Sequence, residues 1–251
     1  MSMFWLKIIA ISTMLIDHSA VALSEHLPHD NYMMMRTIGR IAFPIFVFCI
    51  AEGCRRTSGI SRFLFRLLIF AFVSEVAFDM LSAASWGFSV QQFFSNYFID
   101  MLENWRIPWG FDNRFLRHQN VIFTLFLGVL AIHLYRNWHK DDNKLNNVVA
   151  GILAVVSMGL AANFINSDYG FIGVLIIFLS YFYENKHLRI IPFVLLAFLL
   201  YSNQIFLTIG ALAALIPIYL YNGERGPAMK WAFYAFYPVH LFVLGMVGML
   251  I

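Results

Sequence analysis

Apolar residues run along this chain in long unbroken blocks, and polar residues fall between the blocks or, in a few places, inside them. The blocks cover roughly residues 3–24, 37–54, 63–84, 119–135, 147–165, 169–183, 188–201, 204–221 and 230–251. An apolar stretch of about 17–25 residues lets a helix cross the hydrocarbon core of a bilayer. The pattern therefore predicts an all-α, polytopic transmembrane helical bundle of about nine helices, the shorter ones tilted or internally buried. The pair 188–201 and 204–221 fits either two spans or one re-entrant hairpin. No repeat or low-complexity tract breaks the pattern, and residues 1–251 read as one domain. The first block carries a polar pair and no small-residue cleavage site follows it, which predicts a retained helix rather than a removed leader.

Composition agrees with the pattern. The chain is 61% hydrophobic and 12% charged, whereas soluble domains carry about 25% charged residues. That balance argues against a soluble enzyme and for a lipid-bilayer setting, and nothing in it points to nucleic acid. Cys49 and Cys54 sit at the end of one apolar block and predict buried thiols rather than a disulfide framework. With the N-terminus in the cytoplasm and the C-terminus outside, twelve of the 17 Lys and Arg face inward, as the positive-inside rule prefers. The outer side then holds Arg36, Arg40, Arg106, Arg114 and Arg117. Segment 85–118 is external in that topology, and its aromatic density predicts an interfacial roof.

Ionisable residues inside the blocks change the picture, because each costs free energy in a bilayer and marks a site or pathway by default. Lys7 and His18 are eleven residues apart, which on a helix is about 16 Å of rise and nearly the same direction. Asp17 points to one side of that line. Arg36 and Arg40 share a face four residues apart, as do Glu75 and Asp79. By depth these residues form two polar layers. The outer layer holds Asp17, His18, Arg36, Arg40, Glu75, Asp79, Asn120 and Asp168. The inner layer holds Lys7, Glu52, Arg55, Arg56, Arg225 and Lys230, and His240 lies between the two. Plainer roles stay open. Arg36 and Arg40 fit snorkelling anchors, with Glu75 and Asp79 as neutralising partners. Arg62 and Arg66 read as topology signals, and Asp17 with His18 fits a polar pair that joins helices. No metal-ligand pattern is present.

Seven blocks in this order resemble the TraX family of integral-membrane acetyltransferases, named for the enzyme that N-acetylates conjugative pilin. They are "LKIIAISTMLIDH" (6–18), "RTIGRIAFPIFVFCIAEG" (36–53), "RFLFRLLIFAFVSEVAFD" (62–79), "QNVIFTLFLG" (119–128), "SDYGFIGVL" (167–175), "YNGERG" (221–226) and "FYAFYPVHL" (233–241). The Lys7-x10-His18 spacing is also similar to the basic-x10-His signature on the first helix of the wider membrane acyltransferase group. The resemblance implies a multi-pass protein of the bacterial cytoplasmic membrane that moves an acetyl group from cytosolic acetyl-CoA to an amine or hydroxyl outside. The acceptor would be an exposed peptide, a glycan or a small molecule. His18 would be the general base or the acyl-accepting residue, oriented by Asp17, Glu75 or Asp79. Lys7, Arg55, Arg56, Arg225 and Lys230 would hold the polyanionic donor at the inner mouth. Arg36, Arg40, Asn120, Asp168 and His240 would contact the acceptor, with Arg36 and Arg40 also placed to stabilise the developing oxyanion and His240 a second catalytic or substrate-contacting residue. For His240 a structural hydrogen bond near Pro238 is the equal alternative. Two other classes fit the polar layers less fully: a secondary transporter and a non-catalytic scaffold.

Overall fold

The computed structural model describes residues 1–95, 118–138 and 144–251, apart from the side chain of Lys230. The expected aromatic roof at 85–118, with Arg106, Arg114 and Arg117, lies mostly outside the described residues. Among the described residues the fold is all-α. Its helices are α1 (Met3–Ala22), α2 (His29–Gly39), α3 (Ala42–Arg56), α4 (Ile60–Ala84), α5 (Val121–Trp138) and α6 (Lys144–Phe164), then α7 (Gly170–Phe182), α8 (Ile191–Tyr201), α9 (Ile205–Ala213), α10 (Leu215–Tyr219) and α11 (Lys230–Leu250). Six helical stretches are long and apolar enough to cross a membrane, with α2 and α3 together making one of them. The chain is a multi-pass membrane protein.

Two expected spans are split, and proline explains both splits. Proline lacks an N–H, and its ring crowds the carbonyl four residues earlier. Pro44 crowds the carbonyl of Arg40, between α2 and α3, and Pro217 crowds that of Ala213, the last residue of α9, so that the helix breaks at Ala214 before α10. Pro238 lies inside α11 without breaking it. The pair α8 and α9–α10 consists of apolar helices shorter than the six spans.

Three helices run in the same direction. Phe233 of α11 packs on Phe4 of α1 and Tyr234 on Phe70 of α4, while Gly248 near its other end meets Ala22 and Ala84. The chain termini therefore lie at opposite ends of the bundle. In a bilayer, helices associate through close packing where small residues let backbones approach. A Cβ on Gly210 of α9 would fall 2.0 Å from the Thr37 carbonyl oxygen, so the short hairpin touches α2 directly. The outward faces of α4 and α6 remain apolar and exposed, for example at Phe65, Phe72, Ile152 and Leu160.

Candidate active site

Asp17 and His18 are neighbours on α1, so their side chains leave the helix about 100° apart and meet different elements. Asp17 turns to α2 and is buried. Its Oδ2 accepts a hydrogen bond from Arg36 Nη1 at 2.7 Å, and Arg40 Nη2 donates to both Oδ1 and Oδ2, each at 2.7 Å. Gly39 makes room for this, since a Cβ there would lie 2.1 Å from Asp17 Oδ1. Arg40 sits at the break caused by Pro44, and its Nη1 reaches the hydroxyl oxygens of Tyr201 at 3.2 Å and Tyr169 at 3.5 Å. Tyr169 is held in the left-handed region at φ 64° and stacks on Phe43 with centroids 3.5 Å apart. Two guanidinium groups on one carboxylate leave a net positive charge at this wall.

His18 turns instead to α11. Its Nδ1 lies 2.7 Å from His240 Nε2, with the two rings nearly parallel at 9°. His240 Nδ1 donates to the Phe236 carbonyl at 2.7 Å, and the Phe236 ring stacks on it. That carbonyl is four residues before His240. The one deprived of its donor by Pro238 belongs to Tyr234, so the hydrogen bond expected near the proline falls elsewhere. The carboxylate expected to orient His18 is replaced by an imidazole. Asp17 is committed to the arginines, because the α1–α2 contact puts both guanidiniums on its side. Glu75 faces Asn120, whose backbone N–H and Nδ2 both donate to it at 3.3 Å and 2.5 Å. Asn120 Oδ1 also accepts the Ile122 N–H at 3.0 Å, capping the start of α5. Asp79 is fully buried. None of Glu75, Asp79, Asn120 and His240 lines the cavities described next.

Two cavities among the described residues, named outer and inner after the expected topology, bear on the site. The outer one, about 250 Å³, is lined by Asp17, His18, Arg36, Arg40, His118, Asp168, Tyr169 and Tyr237, among others. Asp168 sits on the turn between α6 and α7, held by a Thr124 hydroxyl that donates to its carbonyl oxygen. Its side chain opens onto this cavity. The inner cavity, about 410 Å³, is largely apolar and carries Lys7, Arg66 and Arg225. The chain places Arg225 there through backbone bonding: the carbonyls of Glu224 and Arg225 accept the Met3 and Phe4 N–H groups at 2.8 Å and 3.1 Å. These are donors that the first turn of α1 cannot pair internally. Arg66, read above as a topology signal, has a buried Nε with no hydrogen-bond partner among the described residues. Met14, Phe46, Val121, Leu125 and Tyr237 line both cavities and form their common wall.

Arg55 and Arg56 are engaged elsewhere. Glu52 holds Arg55 at 2.6 Å and Arg56 at 2.5 Å. Arg55 also donates to the Ser180 and Tyr181 carbonyls at 2.7 Å and 3.0 Å, closing the end of α7. Neither arginine lines a cavity. The Lys230 side chain lies outside the described residues. Sequence reasoning missed Tyr169, Tyr201, Tyr237 and His118. Among these, only the "DYG" turn offered a signal, because a residue beside glycine in a polar turn suits a left-handed backbone. Among the described residues, no group of three or more His, Cys, Asp or Glu is placed to hold a metal.

A family model described as TraX protein matches residues 2–248. The chain belongs to the TraX family. A relative described as probable fimbrial assembly protein FimC, serogroup H1, of Dichelobacter nodosus is 28% identical over 266 residues, covering 97% of this TraX-family chain and 94% of that protein. No solved structure matches the chain.

Proposed function

We propose that this TraX-family protein is a membrane acetyltransferase that takes the acetyl group of cytosolic acetyl-CoA and delivers it to an amine or hydroxyl at the outer face. The observation that carries this reading is the common wall between a cationic inner cavity and the cavity holding His18. In this reading Lys7, Arg66 and Arg225 hold the donor's phosphates, and the largely apolar inner cavity takes its slender pantetheine arm. The fit rests on three cations with no carboxylate among the lining, and on the unpartnered Arg66 Nε. Acetyl-CoA supplies an activated thioester. His18 takes the proton of the attacking acceptor as the new N–C or O–C bond forms. Arg36 and Arg40 face the oxyanion as it develops. When the C–S bond breaks, His18 returns the proton to the sulfur, so the products are the acetylated acceptor and a free thiol. Asp168 and His118 belong to the acceptor's side of the outer cavity. The description of the Dichelobacter relative as a fimbrial assembly protein supports a pilus-type peptide as acceptor.

The test is thiol release by purified protein given acetyl-CoA and a short peptide with a free α-amine, compared with a His18→Ala variant of unchanged elution profile. General-base help is typically worth about 10²–10⁴-fold, and a rate loss of that size is expected. A variant that releases thiol at the parent rate would overturn the assignment.

A further inference from the structure

We propose that His240 is a positioning residue that locks His18 in its Nδ1–H tautomer, so that His18 Nε2 is the lone pair available to the acceptor. The inference rests on the acetyltransferase reading for its consequence, but its geometric content stands on its own. A carbonyl oxygen can only accept, so the nitrogen 2.7 Å from Phe236 O, His240 Nδ1, carries a proton. In a neutral imidazole the other nitrogen is then an acceptor. His240 Nε2 therefore accepts, and the group 2.7 Å away, His18 Nδ1, donates. The Phe236 carbonyl thus sets the proton positions of two rings in sequence. His18 lines the outer cavity, whereas His240 is buried behind it. With Nδ1 turned back to His240, Nε2 is the nitrogen left to the cavity.

The rings have little freedom to exchange these roles. Phe236 stacks on His240 with centroids 4.5 Å apart. Tyr237 lies edge-on to both imidazoles, at 6.4 Å from His18 and 5.7 Å from His240. The chemistry then balances. His18 Nε2 gains the acceptor's proton, and the Nδ1–H bond to His240 becomes a charge-assisted one. His240 Nε2 can take that second proton, leaving His18 neutral and the charge against the Phe236 carbonyl. The same two transfers in reverse protonate the departing thiolate. His240 touches neither donor nor acceptor in this scheme, which departs from its predicted role as an acceptor contact.

Two measurements test the proposal. In protein labelled with ¹⁵N-histidine and held in lipid nanodiscs, the ring nitrogen shifts of His18, assigned by its loss in His18→Ala, should report protonated Nδ1 and bare Nε2. A His18 found mainly as the Nε2–H tautomer would overturn the proposal whatever the activity. In the thiol-release assay with acetyl-CoA and the free-amine peptide, His240→Ala should lower kcat at least tenfold with KM for both substrates within about twofold. His240→Gln, which can accept and donate at the same place, should recover most of that loss. Unchanged kcat in His240→Ala would also overturn it. If wild-type protein releases no thiol while the shifts show the Nδ1–H tautomer, the tautomer assignment stands and the acetyltransferase reading falls.

Discussion

Asp17 carries the heaviest structural duty of any single polar residue in the site. It is the shared ion-pair partner of two arginines, offsetting one of their two charges, with side-chain exposures of 9% for the aspartate and 10% for Arg40. Removing one partner of a buried ion pair leaves an uncompensated charge and typically costs about 3–5 kcal/mol. Asp17→Ala should lose stability of that order by denaturant titration in detergent, while His18 keeps its bond to His240. A loss below about 1 kcal/mol would mean that water or lipid headgroups already satisfy the arginines. The sequence showed that Asp17, His18, Arg36 and Arg40 reach one depth, because helical rise alone decides depth. It did not show who pairs with whom. Pairing depends on how each helix is rotated about its axis relative to its neighbours, and that is set by contacts such as Gly39 against Asp17. The same ignorance hid the His18–His240 pair, whose members lie 222 positions apart.

Among the elements, the short α8–α9 hairpin does more than fill space. Its Tyr201 meets Arg40, and its Gly210 lies against the backbone of α2. Adding a methyl group where the gap is already closed should push the hairpin off α2. Overpacking of this kind costs about 1–3 kcal/mol, so Gly210→Ala should unfold at a lower denaturant concentration than the parent protein. An unchanged midpoint would show that the hairpin is not pressed on α2. The long helices were legible from apolar length, since a continuous apolar run of that length crosses lipid as a helix whose backbone bonds are all internal. The breaks at Arg40 and Ala214 were not, although Pro44 and Pro217 were in plain view. Pro238 shows why: a proline interrupts a helix only where the surroundings let it bend, and α11 stays continuous along α4.

At the scale of the molecule, the two ends differ in charge. Lys7, Arg66 and Arg225 gather at the end that holds the N-terminus, while Arg36 and Arg40 are tied to Asp17 deeper in. Under the positive-inside rule the proposed orientation has the N-terminal end toward the cytoplasm. In a background with Cys49 and Cys54 replaced by Ser, His26→Cys should react with a membrane-impermeant maleimide in intact spheroplasts. Glu184→Cys should react only after lysis. The reverse pattern would invert the molecule and place the proposed donor mouth where no cytosolic thioester reaches it. The charge asymmetry was readable from the chain, but the two cavities were not, because they arise from how side chains of six helices fail to meet.

The most direct measurement is transfer across a sealed membrane. Purified protein is reconstituted into vesicles of one orientation, with ¹⁴C-acetyl-CoA supplied on the side of Lys7 and a free-amine peptide enclosed on the other. The account predicts labelled peptide in the opposite compartment, and almost none with His18→Ala. Label that never crosses, or that crosses equally well without the imidazole, would contradict it.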